Sequence, residues 1–432
     1  MAASDVVFFA LLVLGFSTFS RRLGRWHVTA PIAFVAVGWA VGLVSDQPLS
    51  QESVRVLAEA TLALVLFHDA AQVRPREIGA ERQLVGRLLL VGLPLTIVVG
   101  FLAAQVLEPG LAWPYALLLA AALAPTDAGL GAATVLNPVV PVRVRRLLNV
   151  ESGLNDGLAT PVVLFAIAAA AGIVDGATPG VANSVVTALG DIGVGVVVGV
   201  AVGAAGGALL TLSRRRGWSS TTGRALGTLM LPVGAYATSV ALDGNGFIAA
   251  FVAGTSYASV ARWVGEEQSA LGLTESGADL LGFAIWFVFG VIAADVVTTL
   301  SWQDVAYAAL ALTLLRMGPV ALSLVGSGLR APTVAFVGWF GPRGLASVVF
   351  ALLAVEELPA STQLDAVATV IALTVLLSVL LHGLSADVLA ERYGAWVTRT
   401  APPVESAASV EPVSRSSRYG RRATSPDEAA GE

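Results

Sequence analysis

The sequence predicts an all-α polytopic membrane protein with thirteen transmembrane helices, and three observations lead there. Of 432 residues, 56% are hydrophobic and 13% charged, with a mean hydropathy of +0.79, far from the balance of a water-soluble domain. Apolar windows of the length that spans a bilayer core, about 20 residues, recur along the chain. Arginines gather in alternate connections between these windows. Cysteine is absent, which excludes disulfides and thiolate metal sites. All 25 basic residues are arginine, so their placement, and not the net charge of −5, carries the topological information.

The first window, 5–20, has no basic stretch before its apolar run and is read as a retained helix, closed by Arg21, Arg22 and Arg25. The second, 28–44, runs out at Asp46. The third, 53–72, starts beside Glu52 and Arg55 and ends before Arg74, Arg76 and Arg82. The fourth, 84–107, stops at Glu108, and the fifth, 113–136, leads to Arg143, Arg145 and Arg146. The sixth, 147–171, ends before Asp175; the seventh, 190–212, before Arg214, Arg215 and Arg216; the eighth, 224–242, before Asp243. The ninth, 245–261, meets Arg262. The tenth, 276–296, and the eleventh, 303–327, join near Asp304, and Arg330 follows the eleventh. The twelfth, 332–355, ends at Glu356 and Glu357, and 363–388 is the last. Only Arg55 breaks the alternation of basic and acidic connections. Basic connections stay in the cytoplasm, so the amino terminus is expected outside a plasma membrane and the carboxyl tail inside.

Residues 1–390 thus form the transmembrane domain. From 391 to 432 the composition turns to Ser, Pro, Arg and Glu, and a solvated, disordered cytoplasmic tail is expected.

Two windows break in their middles. The fifth holds Ala124-Pro125-Thr126-Asp127, and the twelfth holds Gly338-Trp339-Phe340-Gly341-Pro342-Arg343-Gly344. Proline removes a backbone donor and glycine admits non-helical angles. Non-helical backbone at bilayer depth survives only inside protein or beside a wet cavity. Interrupted helices at matching places in two halves, here the fifth of helices one to six and the twelfth of eight to thirteen, mark an inverted-repeat transporter with crossed broken helices and a midplane site.

The fifth helix reaches its basic connection near Leu136 and the sixth leaves it near Leu147. Asp127 and Asp156 each stand about nine residues from that connection, roughly 14 Å at helical rise, and so share one level near the membrane centre. Ser152 lies three residues from Asn155 and four from Asp156, on one helical face. Two carboxylates, a hydroxyl, an amide oxygen and the carbonyls freed near Thr126 form a set of hard oxygens suited to a dehydrated alkali cation. In general, burial favours the neutral form of a carboxylic acid, so one site can hold a cation or a proton.

These residues resemble the sodium/proton exchanger branch of the monovalent cation–proton antiporter superfamily, the NhaP-like group. The likeness rests on Pro125-Thr126-Asp127, Glu151-Ser152-Gly153-Leu154-Asn155-Asp156-Gly157 and Gly341-Pro342-Arg343-Gly344, with Phe67-His68-Asp69-Ala70 and Arg316 also fitting. It covers roughly residues 5–390. The resemblance implies a homodimer, Asp127 and Asp156 as ligands of the cation and the proton, and Glu151 paired with Arg316. It implies a carrier of sodium, potassium or lithium and protons, with no cofactor and no nucleic-acid partner. One position departs: Ala128 stands where the family usually has proline, which bears on the geometry of the break.

Other readings stand beside these. Arg316 and Arg343 also serve as structural counter-ions at mid-membrane. His68 reads as a helix-end residue near water, and Asp69 either lines a cytoplasmic funnel or sits at a helix interface. Glu59, His382 and Asp387 have no assigned role. A sodium-coupled symporter of an organic solute is the alternative function, although no basic cluster or aromatic cage for a larger substrate is evident. An intramembrane enzyme is disfavoured because Ser152 has no histidine partner in sequence and no HExxH spacing occurs.

Overall fold

The structure, a computed structural model, describes residues 3–26, 28–44, 50–73, 79–127, 129–130, 137–174, 181–261, 267–296 and 300–407. Asp46, Arg74, Arg76, Ala128, Asp175, Arg262 and the chain from 408 lie outside the described residues. Among those described, every regular element is helical. The chain runs α1 (Ala3–Arg25), α2 (Ala30–Gly42), α3 (Gln51–Gln72), α4 (Arg82–Arg87), α5 (Leu93–Leu107), α6 (Trp113–Ala122), α7 (Val142–Val174) and α8 (Val181–Arg215). It continues with α9 (Thr221–Ala241), α10 (Gly246–Val260), α11 (Glu267–Val296), α12 (Trp302–Leu312), α13 (Leu314–Ser323), α14 (Ala331–Trp339), α15 (Leu345–Glu357) and α16 (Thr362–Thr400). The predicted windows each overlap one of these helices or a consecutive pair, and several helices run well past them, as α7, α8 and α16 do. Among the described residues, seven helical stretches are long and apolar enough to cross a membrane, and three shorter apolar helices accompany them.

Two groups of helices pack chiefly among themselves. In the first, α2, α3 and α8–α11 approach through glycine. A Cβ on Gly38 would lie 2.2 Å from the Phe287 carbonyl oxygen, and one on Gly290 would lie 2.4 Å from that of Val35, so α2 and α11 touch backbone to backbone. Gly195, Gly199 and Gly203, four residues apart on α8, meet α10 in the same way. Small residues at this spacing let helices close together where lipid offers no hydrophobic drive. Phe16 of α1 packs on Phe34 and Phe283, which stack at 4.7 Å. The second group, α5–α7 and α12–α16, holds both broken helices. The groups meet mainly where α3 lies against α7 and α15.

Two irregularities go beyond the predicted breaks. A π-turn at Leu88–Gly92 separates α4 from α5, just before Pro94. A break at Thr313 (φ −120°, ψ −97°) separates α12 from α13. The expected boundary at 390 also shifts: α16 continues to Thr400, and the following segment packs back on the protein. Glu405 is buried and accepts from the Arg330 N–H and the Thr333 hydroxyl, both at 2.8 Å, while Arg143 donates to the Val404 carbonyl at 2.5 Å.

Candidate functional site

α6 ends at Ala122, the N–H groups of Leu123 and Ala124 close its last turn on Leu119 and Ala121, and residues 125–127 run on toward the gap between α14 and α15. There the two breaks satisfy each other's backbone. The Asp127 N–H donates to the Pro342 carbonyl at 2.9 Å. The Arg343 guanidinium donates to the carbonyls of Ala124 (2.6 Å), Pro125 (3.0 Å) and Ala311 (3.2 Å), the last just before the break at Thr313. Ser347 donates to the Ala122 carbonyl at 2.6 Å. Groups that a helix would pair internally are thus paired across the breaks, as burial in a membrane requires.

The Asp127 side chain continues this exchange. One carboxylate oxygen accepts from the N–H groups of Gly129 (2.6 Å) and Leu130 (3.4 Å); the other accepts from Leu345 N–H at 2.9 Å, in the first turn of α15. A carboxylate at a helix start gains from both the unpaired donors and the helix dipole. Asp127 is half-buried and lines a narrow cleft together with Asp156 and Ser152 of α7 and Asp69 and Gln72 of α3. The three acidic side chains come from three separate segments, and the cleft lies where the two groups of helices meet.

Two of the expected ligands take another place. Thr126 and Asn155, buried to 1% and 0% exposure, do not line the cleft and stand behind it. The Asn155 amide donates to the Thr126 hydroxyl at 2.7 Å and lies 3.5 Å from a Glu151 oxygen; the Thr126 and Ser152 hydroxyls are 2.9 Å apart. Helical spacing groups side chains on a face but does not say which way that face turns. Glu151 and Arg316 form a two-pronged buried ion pair, at 2.8 and 2.9 Å. Arg343, 1% exposed, directs its guanidinium to backbone carbonyls. His68, read as a residue near water, is instead 1% exposed inside α3 and contacts Gln72. Glu59 pairs with Arg55 at 2.8 Å. Gln72 and Asn149, also on the cleft, were not singled out from the sequence, where polar residues beside basic connections resemble ordinary solvated helix ends.

Gly344 is required by this geometry, since a Cβ there would lie 2.0 Å from an Asp127 carboxylate oxygen. Gly344→Ala is therefore expected to push Asp127 off the start of α15 and to lower transport at least about tenfold, a barrier change of about 1.4 kcal/mol. Gly318→Ala, where a Cβ meets nothing within 4 Å, is the matched control. Initial flux rates in proteoliposomes check this, and equal rates for the two variants would overturn it.

A helical bundle with paired broken helices and a carboxylate-lined cleft at the meeting of two helix groups defines a secondary carrier of small cations. The chain belongs to the sodium/hydrogen exchanger family, whose transmembrane region matches residues 7–392. It is therefore a cation–proton antiporter, and the family lends no support to solute symport. The fold is similar to that of the sodium proton antiporter MjNhaP1 from Methanocaldococcus jannaschii at pH 8, with a TM-score of 0.71 at 19% identity over 90% of this chain and 98% of that one. An electron-microscopy structure of MjNhaP1 matches with a TM-score of 0.68 at 18% identity, over 91% and 98%. No curated protein matches the sequence.

Proposed function

We propose that the protein exchanges one monovalent cation, sodium before potassium or lithium, for one proton by alternating access, with Asp127 and Asp156 as the exchanging ligands. The observation that carries this reading is the single cleft on which Asp127, Asp156 and Ser152 come together from two segments. Thr126, Asn155 and the Glu151–Arg316 pair brace the site from behind, and Asp69 lines the cytoplasmic approach. The reading includes thirteen spans, an outer amino terminus, a cytoplasmic carboxyl-terminal end, a plasma-membrane location and a homodimer. The arginine-bearing connections support the orientation. An inverted repeat of helices one to six and eight to thirteen, with its broken helices crossed, gains support from the irregularities. The fifth and twelfth helices break, and their neighbours, the fourth and eleventh, carry the π-turn and the Thr313 break.

Acidification of proteoliposomes followed by addition of sodium, potassium or lithium chloride tests the exchange directly; no cation-dependent alkalinisation with any of the three would refute it. The stoichiometry has its own test. The sixth helix carries Asn155 beside Asp156, so this pair holds one exchangeable carboxylate, and a one-for-one cycle moves no net charge. A membrane potential acts at about 2.3 kcal/mol per charge per 100 mV, which a neutral cycle does not feel. With the potential clamped by valinomycin and sodium as the exchanged ion, the rate is expected to stay constant. A strong voltage dependence would rule out the one-for-one cycle.

A further inference from the structure

The second break leaves carbonyls at the end of α14 and N–H groups near the start of α15 without helical partners. α16 supplies partners on both sides of this gap from two side chains one turn apart. Ser378 Oγ accepts the Arg343 N–H at 2.7 Å, and His382 Nε2 lies 2.9 Å from the Trp339 carbonyl oxygen. His382 Nδ1 lies 3.2 Å from Ser378 Oγ and 3.0 Å from the Ser378 carbonyl. The two side chains are buried, at 0% and 2% exposure.

Both ring nitrogens of His382 face a carbonyl, and a carbonyl only accepts, so Nε2 carries a hydrogen and donates to Trp339. Nδ1 faces the Ser378 carbonyl and the Ser378 hydroxyl together, donating to the first or accepting from the second. One hydrogen-bonded chain then runs from Arg343 through Ser378 and His382 to Trp339, closing over the gap. α16 grips Trp339 a second time, because its indole N–H donates to Ser385 Oγ at 3.1 Å and its ring lies 5.1 Å from the imidazole. The segment held this way matters for the cleft. Arg343 binds the carbonyls of Ala124 and Pro125, and Leu345 N–H binds Asp127.

We propose that His382, donating from Nε2 to the Trp339 carbonyl, is a positioning residue for exchange: it clamps both ends of the second helix break and so holds Arg343 and Leu345 where they fix Asp127. This rests on Asp127 being a ligand of the exchanged ions. His382→Gln keeps a donor near the Nε2 position, whereas His382→Leu keeps neither donor nor acceptor. The leucine variant is expected to raise the apparent KM for sodium at least about tenfold, with glutamine staying within about threefold of wild type. Ser378→Ala, which leaves the ring in place, is expected to raise KM in the same direction. Ring nitrogen-15 NMR of the wild type, with only three histidines to assign and His382→Gln to identify the signal, is expected to show a protonated Nε2.

A leucine variant exchanging like wild type, a folded glutamine variant no better than leucine, or a ring with Nε2 unprotonated would each overturn the proposal. Should the leucine variant fail to fold, Ser378→Ala and the NMR signature decide. Because the state of Nε2 is read without transport, its failure is distinguishable from failure of the exchanger reading, which would appear as absent flux in the wild type.

Discussion

Exchange is expected to disappear when Asp156 or Asp127 is replaced by asparagine, with the protein still folded in the membrane. The amide keeps the shape of the side chain and removes the charge that a cation or a proton would neutralise. At Asp127 the two oxygens accept three backbone N–H groups from Gly129, Leu130 and Leu345, and an amide nitrogen would turn a donor toward at least one of them. A loss of at least about a hundredfold in turnover, about 2.7 kcal/mol, is expected for each. Sodium-driven alkalinisation in proteoliposomes measures it, with a detergent melting curve to verify folding. Wild-type turnover with an unchanged pH profile in either variant would show that the ligands lie elsewhere.

The second large effect concerns stability. Glu151 and Arg316 are 1% and 2% exposed and meet through two short contacts. Removing one partner strands the other charge in a dry interior, at a cost of about 3–5 kcal/mol. Glu151→Ala and Arg316→Ala are therefore expected to melt well below wild type, and below Asp127→Ala, whose half-buried side chain borders the cleft. A double replacement by leucine is expected to recover part of the loss, since no unpaired charge remains. Superimposable melting curves for all three alanine variants would remove the pair from any structural role.

Much of this was legible in the sequence because bilayer thickness and the scarcity of charge are strong, local constraints. Pro125, Gly341 and Pro342 marked the breaks because both lie where helix geometry fails outright. The same residue type also misleads: Pro161, Pro232 and Pro319 sit inside unbroken helices, and the break at Thr313 has no glycine or proline of its own. That break arises where Arg343, thirty residues away in the chain, takes the Ala311 carbonyl. Depth along a helix placed Asp127 and Asp156 together, but the outward or inward turn of Thr126 and Asn155 depends on neighbours and is not a property of spacing. His382 was unreadable for the same reason, since Trp339, the partner that gives it a role, comes from another helix. Composition read residues from 391 as a disordered tail, yet α16 runs on to Thr400 and Glu405 docks at the start of α14, on partners that composition does not name.

The mutual satisfaction of the two breaks has a consequence for how the protein is made. The carbonyls of Ala124 and Pro125 are closed by a guanidinium 219 and 218 positions later in the chain. At about 5–20 residues per second, a ribosome takes roughly ten to forty seconds to cover that distance. Throughout this interval the nascent first break must borrow water, lipid headgroups or insertion machinery in place of Arg343. The first half of the molecule therefore waits, inserted but incomplete, until the second half arrives to finish its backbone.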